Sequence, residues 1–157
     1  ATYFEKNDFW GISYYVYMPF TPFPISEADN PGKLKEMGIP NDKMWGYYPK
    51  GLKDILVRFH KKYNKPIIIT ENGVCTDDDA FRQQSIKDYL STCHEAIKEG
   101  VDLFGYIHWT TMDNFEWNLG PTYRFGLVRV DFETMERTMT GAGEFYAKIT
   151  EENQVTL

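Results

Sequence analysis

The residue best placed to do chemistry is Glu71, at the end of Pro66-Ile67-Ile68-Ile69-Thr70-Glu71-Asn72-Gly73. Three consecutive isoleucines after a proline predict a short strand buried on both faces, as in a parallel sheet. Asn-Gly is expected to end it, because both residues tolerate φ > 0. The carboxylate is then delivered at the strand's C-terminal lip, where parallel α/β folds do their chemistry. Two further stretches carry polar and aromatic groups of the same kind. Phe9-Trp10-Gly11-Ile12-Ser13-Tyr14-Tyr15 offers Ser13 and Tyr15, and Trp109 is followed by Glu116 and Trp117 in one short polar loop. A carboxylate, a phenol and paired tryptophans around one mouth suit carbohydrates, because a sugar ring packs its C–H face on an aromatic ring.

The elements that must position these residues follow from periodicity. Phe9–Tyr15 reads as a strand whose alternation places Phe9, Gly11, Ser13 and Tyr15 on one face. From Met18 to Tyr48 the chain is studded with prolines, and so long a connection suits a wall over an active site. Its polar part, Glu27–Lys43, is expected to be mobile, and residues 1–7 to be a ragged start. Pro49 opens a helix with Leu52, Ile55, Leu56 and Phe59 at helical spacing, ending near Tyr63-Asn64. Asp77-Asp78-Asp79 supply caps for the next helix rather than a metal site. That helix carries Ile86, Leu90, Cys93 and Ile97 as its apolar stripe, with Gly100 at its end. Val101–Trp109 reads as a third strand, with Gly105, Ile107 and Trp109 on one face. A hairpin outside the sheet (Phe125–Phe132 with Glu136–Met139) and a helix over Gly141–Glu151 finish the chain. Alternating strands and helices predict a parallel sheet. Three βα units do not close a (β/α)₈ barrel, which takes eight strands and about 250 residues. The expected fold is therefore α/β: the last three βα units of a TIM (β/α)₈ barrel, incomplete on its own.

Composition narrows the partners. A net charge of −6 over 157 residues disfavours nucleic acid, which wants a basic face. No apolar run approaches the roughly 18 residues of a membrane span, and no leader peptide is expected at the start. Cys75 and Cys93 lack metal-ligand spacing, so a reduced, cytoplasmic-type protein without a metal is expected.

Several separated motifs together resemble the family 1 glycoside hydrolases, the β-glucosidase family, over nearly the whole chain from Asp8 to Ile149. Asp8-Phe9-Trp10-Gly11-Ile12-Ser13-Tyr14-Tyr15 is similar to the family's sixth-strand motif. Tyr48-Pro49-Lys50-Gly51-Leu52 resembles the start of its sixth helix, and Thr70-Glu71-Asn72-Gly73 its nucleophile motif. Trp109-Thr110-Thr111-Met112-Asp113-Asn114-Phe115-Glu116-Trp117 resembles its eighth-strand loop, and Arg124-Phe125-Gly126-Leu127 the segment closing the glycone pocket.

The resemblance implies that residues 1–157 are the C-terminal part of a single (β/α)₈ barrel catalytic domain, and a role for each matching residue. Glu71 would be the nucleophile and Tyr15 its hydrogen-bond partner. Trp109 would floor the sugar across a cis bond to Thr110. Glu116 would accept from the 4- and 6-hydroxyls, Trp117 would donate through its indole N–H, and Phe125 would pack at the closed end. Ser13 departs from the family's usual asparagine, and Thr110-Thr111 from its Ser-Leu. Members acting on 6-phosphosugars carry serine in place of Glu116, so unphosphorylated β-glucosides, galactosides or fucosides are implied, with no cofactor. The family's acid/base lies in a Thr-x-Asn-Glu-Pro motif, and no Asn-Glu-Pro occurs in this sequence. The implied partner is an N-terminal barrel chain carrying strands one to five. A non-catalytic sugar-binding or structural module and an inactive truncated fragment are the other readings, though binding alone does not need Glu71 with Tyr15.

Overall fold

The computed structural model describes residues 3–15, 17 and 31–155. Residues 18–30 of the proline-studded connection, with the first part of the stretch expected to be mobile, lie outside the described residues. The elements in chain order are β1 (Trp10–Tyr14), α1 (Pro31–Glu36), α2 (Pro49–Tyr63), β2 (Ile67–Asn72), α3 (Asp79–Lys98), β3 (Leu103–His108), β4 (Val128–Val130), β5 (Arg137–Met139) and α4 (Gly141–Glu152). Short 3-10 segments occur at Tyr3–Lys6 and Trp117–Thr122.

β1, β2 and β3 form one parallel sheet with β2 in the centre, so Glu71 stands on the middle strand. Burial of Ile67 and Ile69 explains the isoleucine run: both are fully enclosed between the sheet and its helices. With Tyr14, Leu52, Leu56, Tyr89, Cys93 and Ala96 they form the main core. A smaller cluster of Ile86, Leu127, Ala142 and Ile149 joins α3 to α4. The helix ends follow local chemistry. Asp78 caps α3 by accepting from the N–H groups of Ala80 and Phe81, and Thr140 caps α4 through Gly143. Asn64, in the left-handed region, ends α2.

The opposite face of the sheet is bare among the described residues. Phe9, Phe104 and Ile107 are each more than half exposed, and the Phe9 and Phe104 rings meet edge to face at 5.6 Å. The outer edges of β1 and β3 pair with no described strand.

Four expectations need correction. Neither Asn72 nor Gly73 has a positive φ. The glycine is required because a Cβ there would lie 2.0 Å from the Trp109 carbonyl oxygen. The part of the polar stretch that is described is ordered by α1, whose Leu34 is fully buried. The presumed ragged start holds a 3-10 turn over Tyr3–Lys6. Ile97 is exposed, and Ala96 takes its place in the core because α3 turns that position toward α2.

Candidate active site

β1 and β2 run in parallel with Ser13 opposite Glu71, after an irregularity between Ile12 and Ser13. This register brings the Tyr15 hydroxyl to Glu71, and it donates to Glu71 Oε2 at 3.1 Å. Burial first, and the neighbouring carboxylate second, push the Tyr15 phenol well above its ordinary pKa. Tyr15 is therefore a fixed donor and not a base at neutral pH. Its ring is backed by Trp45 at 5.5 Å and by Phe125 at 6.2 Å, the latter edge-on and almost fully buried. Ser13 faces the open side, its hydroxyl 3.2 Å from that of Thr70.

Asn72 explains why the nucleophile-type motif keeps an amide after the glutamate. It is fully buried, donates to the Tyr14 carbonyl and accepts from the Tyr106 hydroxyl, both at 2.6 Å. One side chain thus ties β2 to both neighbours next to Glu71. Beyond it, residues 73–76 are buried and held from several sides. Arg82, itself buried, donates to the carbonyls of Val74 at 3.0 Å, of Thr76, and of Arg124 at 3.2 Å.

Trp109 stands at the end of β3, half-buried, with its N–H on the Asn72 carbonyl at 2.9 Å. The bond from Trp109 to Thr110 is cis, as the resemblance implies. Asp113 then organises the turn that carries Phe125, accepting from Arg124 at 2.5 Å, Gly126 N–H at 3.0 Å and Val130 N–H at 3.3 Å. Glu116 accepts from the Asn114 amide at 3.1 Å. Trp117 is 82% exposed, with φ 47°. Among the described residues no hydrogen bond joins Glu116 or Trp117 to Glu71 or Tyr15, and Glu116 acts on Tyr15 through its charge. The structure thus gathers Glu71, Tyr15, Ser13 and Phe125, with Trp109 alongside, while Glu116 reaches this group through its charge on Tyr15 and Trp117 stands exposed.

Sequence reasoning missed Asp42, Trp45 and Arg82. A turn signal was present in Asn41-Asp42, because aspartate commonly accepts from N–H groups two and three residues on. Arg82 gave no signal; a charged residue in a helix is usually solvated. No cluster of potential metal ligands occurs among the described residues, and none of their helices could cross a membrane. Asp77 instead pairs with Lys43 and approaches Arg124 and Arg129 at 3.9 and 3.8 Å. A cavity of about 280 Å³ lies away from Glu71, where Arg82, Arg124 and Arg129 face Asp77, Asp79 and Asp113 in balance.

The site is thus a carboxylate–phenol pair at the C-terminal lip of the central parallel strand, walled by aromatic rings. The profile described as glycosyl hydrolase family 1 matches residues 2–155, and the chain belongs to that family. It is 41% identical to β-glucosidase A of Acetivibrio thermocellus over 147 residues, covering 87% of this chain and 33% of that protein. It is 32% identical to a β-galactosidase of Sulfolobus acidocaldarius, covering 96% of this chain and 33% of the relative. Its fold matches a Thermotoga maritima family 1 β-glucosidase in complex with isofagomine lactam at TM-score 0.84 and 32% identity, over 97% of this chain and 36% of that one. The chain therefore spans about a third of the length of the relatives it matches.

Proposed function

We propose that this chain forms strands six to eight of a retaining β-glycosidase barrel, with Glu71 as its nucleophile. The observation that carries the reading is the hydrogen bond from Tyr15 to Glu71, made at the lip of the central parallel strand. A phenol held protonated there lends its O–H to the ionised carboxylate and fixes its aim. Glu71 attacks the anomeric carbon as the bond to the leaving oxygen breaks, giving a covalent glycosyl-enzyme. Water then displaces Glu71 from the same carbon, so configuration is retained.

The departing oxygen needs a proton from a second carboxyl, about 5–5.5 Å from the first. With no Asn-Glu-Pro in the sequence, that acid belongs to the remaining two-thirds of the barrel. The bare face with Phe9, Phe104 and Ile107, and the two open strand edges, suit closure by five further strands. Trp109 floors the sugar, Phe125 seals the closed end, and Ser13 presents a hydroxyl where the family's amide would be. Glu116 and Trp117 hold the outer hydroxyls once the barrel surrounds them. Glu116 would repel a phosphate dianion, so the substrates are unphosphorylated β-glucosides, galactosides or fucosides. Relatives named for glucose and for galactose support that breadth.

The test is a 2-deoxy-2-fluoro-glucoside inactivator on the full-length enzyme, read by peptide mass. A covalent label on Glu71, with turnover abolished by Glu71→Gln, is the expected result. A label on Glu116 or another carboxylate would overturn the assignment.

A further inference from the structure

Asp42 uses its two carboxylate oxygens on two different parts of the chain. Oδ1 accepts from the backbone N–H groups of Met44 at 2.6 Å and Trp45 at 2.7 Å, closing a tight turn. Oδ2 accepts from the backbone N–H of Cys75 at 2.8 Å, four residues beyond Glu71. The link is returned by Lys43, whose N–H donates to the Cys75 carbonyl at 3.0 Å. The turn thus clipped to the exit of β2 is the one that carries Trp45, and Trp45 packs on both Tyr15 and Phe125. Tyr15 in turn holds Glu71. A chain of direct contacts therefore runs from Asp42 through Trp45 and Tyr15 to the proposed nucleophile.

The choice of a carboxylate is informative. An asparagine could close the same turn through its amide oxygen, without the cost of burying a charge. Only a second acceptor serves the Cys75 N–H, because an amide NH₂ there would set donor against donor. Burial raises the pKa of Asp42, while the three N–H donors and the Arg82 charge oppose the rise. The protein keeps a half-buried acid at this point, and the bond it secures is the one between the wall and the strand of Glu71.

We propose that Asp42 is a positioning residue for glycosyl-enzyme formation: it locks the Trp45 turn to the exit of β2, so that Trp45 keeps the Tyr15 hydroxyl on Glu71. The proposal rests on the reading of Glu71 as nucleophile. Asp42→Asn separates its two tasks, retaining the turn through Oδ1 and removing the acceptor of the Cys75 N–H, so that only the Lys43 N–H still ties the turn to Cys75.

The experiment is a double-mutant cycle in the full-length enzyme between Asp42→Asn and Tyr15→Phe, read as kcat, KM and the Kd of a neutral sugar-like inhibitor. Misplacing a reacting group by about 1 Å costs up to about 10²-fold. Asp42→Asn is expected to lower kcat about 10- to 100-fold, with KM and the inhibitor Kd changing far less. In the Tyr15→Phe background the same substitution should cost within about 2-fold, because its route to Glu71 is already cut. Equal losses in both backgrounds, or a loss confined to KM, would overturn the proposal and leave Asp42 a stabiliser of the wall alone. If Asp42→Asn does not fold, Trp45→Leu enters the same cycle, and additivity there overturns the proposal equally. Labelling of Glu71 in the parent enzyme separates the two ideas. A labelled Glu71 with an additive cycle removes only the role of Asp42, whereas an unlabelled Glu71 removes the proposed nucleophile and this inference with it.

Discussion

The exit of β2 and the loop carrying Glu116 and Trp117 are built to opposite standards. Residues 73–76 are buried throughout and held by Asp42, Arg82 and the Arg124 carbonyl. In the loop, Phe115 is 68% exposed and Trp117 82% exposed. Its internal bonds are local, from Asn114 to Glu116 and from Glu116 N–H to the Gly120 carbonyl. The difference separates what this third of a barrel preorganises by itself from what it offers to the rest. The carboxylate and its phenol are aimed by contacts within the chain. On the proposed reading, Glu116 and Trp117 face a space that other strands and the substrate would fill.

Three substitutions in the full-length enzyme sharpen this contrast. Arg82→Ala should have the largest effect, because it leaves three carbonyl acceptors around residues 73–76 and 124 without their charged donor. A loss of about 3–5 kcal/mol of stability is expected, visible as a large drop in the thermal midpoint. An unchanged midpoint would mean that the strand exit is held by its backbone alone.

Glu116→Ala should do the reverse, leaving the midpoint in place and lowering kcat/KM for glucosides by about 10²-fold through two lost hydroxyl bonds. The loss should be much smaller for 6-deoxy sugars, and equal losses would show that the 6-hydroxyl is not its partner.

His108 gives the smallest effect and a pH signature. It is buried beside Tyr146, and burial, with the Arg82 charge second, depresses its pKa to about 3. The folded state binds this proton less readily than the unfolded chain, so the contribution is complete above about pH 6.5 and is lost as pH falls toward 3. Stability should decline by about 1–2 kcal/mol between pH 7 and pH 5 from this group, and His108→Asn should flatten that decline. An identical acid slope in the variant would place the titration elsewhere.

The parts legible in the sequence are those with a periodic or terminal signal. The isoleucine run, the helix opened by Pro49, the aspartate cap of α3 and the hairpin at 128–139 all carry such signals, and each element lies where they place it. That Tyr15 and Glu71 share one mouth was legible because parallel neighbours share a lip, whereas the hydrogen bond between them was implied by the family resemblance and not by the alternation. The clip from Asp42 to Cys75 was not, since a side chain bonding backbone 33 residues away leaves no period. The same holds for Arg82, whose burial is decided by carbonyls on two other loops. Asn72-Gly73 misled for a related reason: the glycine answers to the Trp109 carbonyl and not to its own dihedral angles. α1 escaped notice because a six-residue polar helix with one buried leucine has no amphipathic stripe to read.

The division of labour between this chain and the rest of the barrel is open to one direct measurement. The 157-residue chain is assayed with an aryl β-glucoside, alone and mixed with a polypeptide carrying the first five strands. General-acid assistance contributes about 10²–10⁴-fold, and on the proposed reading the loop of Glu116 and Trp117 would have no surround without the first five strands. The expected result is no hydrolysis by the chain alone and restored β-glucosidase activity on mixing, abolished again by Glu71→Gln. Robust hydrolysis by the isolated chain would contradict the assignment of the acid to the missing strands.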